Sequence, residues 1–223
     1  GPGLPPQMLE VSIDDIAAYE RPEAEHLERV SEARVPLAGH PDCRLVLYRD
    51  DRDGTEHVAV LIGSVDAQHP VPVRLHSSCL TGDLLGSLRC DCGEQLRGAV
   101  ERLADAGGGV LLYLAQEGRG IGLANKLRAY TLQDTGLDTL DADQHLGFEP
   151  DERTYESASS ILRDLGITRI RLYTNNPRKV AALQESGIEV VERVQIGATV
   201  NPHNERYIRT KQERAGHYTV DEG

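Results

Sequence analysis

Three of the four cysteines lie within fourteen residues: Cys79 in Ser78-Cys79-Leu80-Thr81-Gly82-Asp83, and Cys90 and Cys92 in Leu88-Arg89-Cys90-Asp91-Cys92-Gly93. A chain from a reducing compartment gains little from disulfides, so thiols clustered this closely point to a metal. Three thiolates with an open fourth position would make a catalytic zinc site, where a bound water is acidified to about pH 7. Two other readings stay open on spacing alone. The thiols could be buried as small hydrophobes, or a closed four-thiolate site could recruit Cys43. Cys43 begins an apolar run, which suits a core or surface thiol better.

Other stretches surround this cluster with groups that suit an anionic ligand. Arg74-Leu75-His76-Ser77 leads into Cys79 and offers a phosphate ligand and a donor able to orient a metal ligand. Gln116-Glu117-Gly118-Arg119-Gly120-Ile121-Gly122 follows an apolar run and opens a helix, a plan that aims backbone N–H groups at an anion. It is neither a dinucleotide fingerprint nor a Walker loop, and a Gly-rich turn without a ligand is the alternative. Tyr173-Thr174-Asn175-Asn176-Pro177-Arg178-Lys179 repeats the strand–turn–helix plan. Cations at a helix N-terminus oppose its dipole, and a bound phosphate would give Arg178 and Lys179 a reason to be there. A solvated basic turn is the competing reading. Asp151-Glu152-Arg153 reads by itself as a solvated helix start, and Tyr130 as a core or rim aromatic.

The elements that must hold these groups follow from periodicity. Residues 30–75 are strand-like, with apolar runs at 44–48 and 57–62 separated by the hairpin spacer Asp50-Asp51-Arg52-Asp53-Gly54. Residues 71–75 make a further strand, whose Pro72 suits an edge or a strand start. Leu96, Val100, Leu103 and Ala104 recur on one helical face that stops at Gly107-Gly108-Gly109. A buried strand at 110–114 follows, then a helix at 123–132. A second helix carries Ala158, Ile161, Leu162 and Leu165, and a strand spans 169–173. A helix with Pro177 in its first turn and a strand at 188–191 complete the pattern. Strands alternating with helices predict an α/β fold: a mixed sheet flanked by helices, with an antiparallel β-rich N-terminal part. Residues 1–26 read as an acidic, Pro-containing leader in which Ser12 could cap a short helix, and 217–223 as a tail around a domain at 27–216.

The chain of 223 residues carries a formal charge of −12. That argues against nucleic acid as a partner, because a basic face provides most of that affinity. Any anionic ligand must be drawn in by local cations. The longest apolar run, 110–115, is far short of the roughly 20 residues of a membrane span. No membrane partner is expected. No basic, apolar, small-residue leader opens the sequence, and the expected compartment is the cytoplasm.

Taken together, the strings CLTGDLLGSLRCDCGEQL, QEGRGIGLANKLRAYTLQDTGLDT, LGFEPDERTY and TNNPRKV resemble GTP cyclohydrolase II, the family that begins riboflavin synthesis. The match runs over 74–216, and no dihydroxybutanone-phosphate synthase half accompanies it. The resemblance implies that Cys79, Cys90 and Cys92 hold one Zn²⁺ per chain. It implies nucleotide contacts from Arg74, Leu75, His76, Ser77 and Ser78, from Gln95, from Glu117, Gly118 and Arg119, and from Thr139, Thr174 and Lys179. Asp151 is implied as a proton acceptor, Arg153 as a nucleophile towards the α-phosphorus, and Tyr130 as a catalytic group near the ring being opened. The implied reaction takes GTP to a diaminopyrimidinone ribosylamine phosphate, formate and pyrophosphate, with Mg²⁺ on the phosphates, in a protein that is typically a homodimer. A phenol with an ordinary pKa near 10 could protonate the ring nitrogen as its bond breaks. A guanidinium is a poor nucleophile, and charge stabilisation is the plainer role for Arg153.

Two positions depart from the family's usual pattern. Ser78 stands where Glu is usual and Asp143 where Asn is usual. Both bear on substrate recognition and keep open a specialised paralogue that opens a related purine nucleotide or stops at a formylated intermediate. A non-catalytic, zinc-stabilised nucleotide-binding module is the reading from a different class. Retention of Tyr130, Asp151 and Arg153 beside all three thiols argues against it.

Overall fold

A computed structural model describes residues 26–137, 139–148, 153–197 and 200–213. The expected leader (apart from His26) and the tail lie outside the described residues.

Alternation builds the first half. In β2 (Cys43–Asp50) the inward Val46 and Tyr48 are buried, Leu47 between them is only partly covered and Arg49 faces solvent. In β3 (Glu56–Gly63) His57, Ala59 and Leu61 are buried in the same way. The expected hairpin joins them. Gly54 takes φ 75°, its N–H donates to the Asp50 carbonyl at 2.9 Å, and the Asp53 carboxylate accepts the Thr55 N–H at 2.8 Å. β1 (Leu27–Arg34) adds an outer antiparallel strand.

The remaining strands are β4 (Val71–Ser77), β5 (Gly108–Leu114), β6 (Arg169–Tyr173) and β7 (Glu189–Val194). The seven-stranded sheet runs β1-β2-β3-β5-β4-β6-β7. It is antiparallel from β1 to β5, and parallel from β5 through β4 and β6 to β7. The fold is therefore the mixed α/β sheet expected. Pro72 is the second residue of β4, an interior strand, so the strand-start reading holds and the edge reading does not.

The helices are α1 (Cys92–Asp105), α2 (Gly122–Asp134), α3 (Thr139–His145), α4 (Glu156–Asp164), α5 (Pro177–Glu185) and α6 (Glu205–Glu213). Successive residues of β5 point to opposite faces, and the core divides accordingly. Leu111 packs with Leu103 and Ala99 of α1, while Val110, Leu112 and Leu114 pack with Ala158, Ile161 and Leu162 of α4 and Leu183 of α5. Pro177 starts α5 behind Asn176, whose side chain caps the Arg178 N–H at 2.9 Å. None of the described helices is long and apolar enough to cross a membrane.

The parallel pair β4–β5 brings Ser77 beside Leu114, so the two loops leaving their carboxyl ends rise together. In an open parallel sheet this end collects ligands. The clustered cysteines and the Gly-rich turn sit on those two loops.

Candidate active site

Cys79 is separated from the end of β4 by one residue, Ser78, and one π-helical turn, Leu80–Leu84, follows it. Asp83 in that turn sets its geometry. The Asp83 carboxylate accepts the Cys79 N–H at 2.9 Å and the Tyr113 hydroxyl at 3.0 Å, and His76 Nε2 lies 3.0 Å from both oxygens. The His76 and Tyr113 rings stack with centroids 5.6 Å apart. Burial holds His76 below its ordinary value, so the ring is neutral at pH 7.

Cys90 and Cys92 lie at the start of α1 and are braced from below. Arg74 donates to the Tyr173 carbonyl at 2.9 Å and to Gln95 Oε1 at 2.8 Å, and Gln95 Nε2 donates to Asp91 at 2.6 Å. Full burial lowers Arg74 to about 10, which leaves it cationic at neutral pH. The three sulfurs lie within 4.8 Å of one another, with Cys79 and Cys90 3.7 Å apart. Zn–S bonds of about 2.3 Å in a tetrahedron require sulfurs about 3.8 Å apart, so the residues present fit a zinc ion. Gly82 makes the approach possible. A Cβ there would sit 2.8 Å from Cys90 Sγ and 3.1 Å from Cys79 Sγ. Hydrogen bonds from Cys90 and Cys92 pull Cys79 far below the ordinary thiol range, whereas the bond to Cys79 pushes Cys90 up. Cys43 is buried in the core cluster under α1 and takes no part in the triad.

In the Gly-rich turn after β5, expected to aim its N–H groups at an anion, one N–H meets an acceptor of the turn itself. Its own carboxylate takes that place: Glu117 accepts the Gly118 N–H at 3.0 Å, the Leu80 N–H at 2.7 Å and Lys126 Nζ at 2.8 Å. Gly118 and Arg119 both adopt φ 61°, and Arg119 is the one non-glycine residue in this region among those described.

A pocket of about 650 Å³, counted out to open solvent, spans these loops. The three thiols, Ser77, Ser78, Glu117, Gly118, Arg119, Tyr130 and Arg153 all line it. Arg89 lies 4.9 Å over the Tyr130 ring. Burial raises the Tyr130 phenol above its ordinary value, which corrects the expectation of an unshifted group and keeps its proton in place at pH 7. Arg153 donates to Ser77 Oγ at 3.4 Å, and Ser77 Oγ donates to Gln116 Oε1 at 2.9 Å. Ser78 Oγ accepts the Gln116 N–H at 3.1 Å, which gives the hydroxyl at this position a task inside the loop.

The other expected site residues lie beneath the pocket. Arg74, Leu75, His76, Thr174 and Lys179 are all buried. Lys179 Nζ donates to the Leu75 carbonyl at 2.8 Å and sits 5.7 Å over the Tyr155 ring, so partners inside the fold account for this helix-start cation. Thr174 Oγ1 accepts the Asn176 N–H at 3.0 Å. Asp151 lies outside the described residues, as do the side chains of Thr139 and Asp143.

Three residues were not singled out from sequence: Asp83, Lys126 and Tyr207. Asp83, four residues after Cys79, was within reach of a capping argument. Lys126 reads as an ordinary helix-surface cation, yet it is buried and donates to Cys79 Sγ at 3.0 Å. Tyr207 reaches the pocket from α6.

A family model described as GTP cyclohydrolase II matches residues 28–195. The chain is 56% identical over 210 residues to a GTP cyclohydrolase-2 of Azospirillum brasilense, covering 94% of this chain and 54% of that one. It is 46% identical over 222 residues to the riboflavin biosynthesis protein RibBA of Parabacteroides distasonis, covering 95% and 54%. A GTP cyclohydrolase-2 of Azotobacter vinelandii is 56% identical over 170 residues, covering 76% of this chain and 82% of that one. The chain thus spans about half the length of the first two relatives.

Proposed function

Since the chain belongs to the GTP cyclohydrolase II family, we propose that it opens the guanine imidazole ring of GTP by hydrolysis. Formate and pyrophosphate leave, and the diaminopyrimidinone ribosylamine phosphate that starts riboflavin synthesis remains. The observation that carries the reading is the thiol triad facing the same pocket as Tyr130 and Arg153. Cys79, Cys90 and Cys92 would hold one zinc ion per chain, which when bound supplies Lewis acidity and an acidified water.

The chain's own residues then have separable tasks. Tyr130, protonated at pH 7, donates to the imidazole nitrogen as water adds at C8 and the ring opens, and a second water releases formate. Arg89 above the ring restrains the phenol. Arg153 keeps its proton and stabilises the charge that builds up on the α-phosphate, while Asp151 takes a proton from the attacking water. Ser77 and Gln116 orient Arg153 across the pocket mouth. Arg74 and Gln95 brace the cysteine loop from below, and Thr174 and Lys179 support the phosphate end. Mg²⁺ accompanies the phosphates. A cytoplasmic homodimer is the working state of the protein.

Zinc-loaded protein incubated with GTP and Mg²⁺ should yield formate, pyrophosphate and the pyrimidine in equal amounts by chromatography. Zinc-loaded protein that binds GTP but leaves its ring closed would sink this reading in favour of the binding module. Ring opening with the formyl group retained would favour the specialised paralogue.

A further inference from the structure

Glu117, Lys126, Cys79 and Leu80 close a ring of hydrogen bonds. Lys126 Nζ donates to Cys79 Sγ at 3.0 Å and to Glu117 Oε1 at 2.8 Å. The other Glu117 oxygen accepts the N–H of Leu80, the residue after Cys79, at 2.7 Å. The Lys126 and Glu117 side chains are only 11% and 18% exposed. The turn is shaped to admit the lysine: a Cβ on Gly118 would press on Lys126 Cβ at 3.1 Å. An ammonium held this way delivers a fixed charge to one chosen sulfur.

We propose that Lys126 is a positioning residue for the thiol triad, clamped by Glu117 so that it orients Cys79 and sets a positive charge against that one sulfur. The inference rests on reading the triad as a zinc site. Three thiolates and a dication sum to −1, and with the Lys126–Glu117 pair neutral in itself the gain is local: the ammonium lies 3.0 Å from Cys79 Sγ while its carboxylate partner sits on the far side. Without it, Cys79 would lose the cation held against its sulfur, in a chain already at −12 where an anionic ligand depends on local cations. A hydrogen bond to a metal-binding sulfur also weakens its electron donation and leaves the ion more electrophilic. In this reading Glu117 serves the centre by holding Lys126 and Leu80.

The test compares full-length wild type with Lys126→Met, Lys126→Arg and Glu117→Gln, without reference to turnover. Zinc affinity is measured by competition with a chromophoric chelator, and the sulfur-to-metal charge-transfer band is recorded with cobalt(II). Lys126→Met should bind zinc about 10–100-fold more weakly, the range typical of groups supporting a metal ligand. Its cobalt band should move to longer wavelength, because a sulfur that loses its donor gives up charge more readily. Lys126→Arg should restore most of both. Wild-type affinity and an unmoved band in Lys126→Met would overturn the inference. Should that variant fail to fold, Glu117→Gln decides, with a smaller loss in the same direction expected and wild-type values overturning the proposal. A wild type that binds no zinc would instead overturn the reading of the triad itself.

Discussion

Asp83 lies directly beneath Cys79, its carboxylate accepting the Cys79 N–H at 2.9 Å while Tyr113 and His76 converge on it from the strands below. A carboxylate has the acceptor capacity for all of them, whereas an amide offers one acceptor oxygen and turns an NH₂ towards a donor. Asp83→Asn should therefore cost about 1–3 kcal/mol in stability, since the side chain is buried. It should also weaken zinc binding. Denaturant unfolding and chelator competition check both, and an unchanged zinc affinity would show that the turn holds without this acceptor.

The two kinds of cysteine should separate cleanly. Cys90→Ser should abolish stoichiometric zinc, because it removes a member of the triad. Cys43→Ser should keep zinc and turnover but lower stability by about 1–3 kcal/mol, because its hydroxyl enters an apolar cluster. Metal analysis of the purified variants decides. Loss of zinc on replacing Cys43 would revive the closed four-thiolate site.

Ring opening and pyrophosphate release should respond to different residues. Tyr130→Phe should slow ring opening about 10²–10⁴-fold, the usual contribution of a positioned proton donor, with a smaller effect on pyrophosphate. Arg153→Ala should suppress pyrophosphate release strongly. Quantifying formate and pyrophosphate in parallel provides the readout, and equal losses of both in both variants would undo the division of roles.

Far from the site, Tyr48 donates to Asp164 at 2.6 Å and ties β2 to the end of α4. Burial, with the Asp164 carboxylate adding to it, pushes the phenol well above its ordinary value near 10. A folded-state pKa above the unfolded one stabilises the fold fully below pH 10 and loses that contribution as pH rises beyond it. Tyr48→Phe should cost about 1–3 kcal/mol at pH 7, and the gap from wild type should narrow above pH 10. A gap constant from pH 7 to 11 would contradict the assignment.

The residues that sequence reasoning located best are those whose spacing is local. The thiol triad, the 50–54 hairpin and the Pro177 helix start each depend on a few neighbouring positions. The sheet order was not legible, because β3 and β4 adjoin in sequence while β5 inserts between them, an arrangement set by long-range pairing. Lys126 was hidden for a related reason. A lysine on a helix reads as solvated until a carboxylate nine residues earlier and a sulfur forty-seven residues earlier are seen to converge on it. Lys179 shows the reverse. Its position suggested a ligand, and the fold provides a carbonyl and an aromatic face.

Cys79 and Cys90 are only eleven residues apart, and both lie on the crossover between two neighbouring strands. Joining points this close constrains only the short loop between them, although the entropy of closing a loop falls only slowly as the loop shortens. An ion held there acts as a local clasp on the β4–β5 loop and leaves the global fold largely to the two core clusters. Stripping the metal should erase the site while the cooperative melting of the sheet persists. On the proposed reading, a population stripped of the ion would remain folded and able to take one up again, so the lifetime of the protein would not follow the supply of metal.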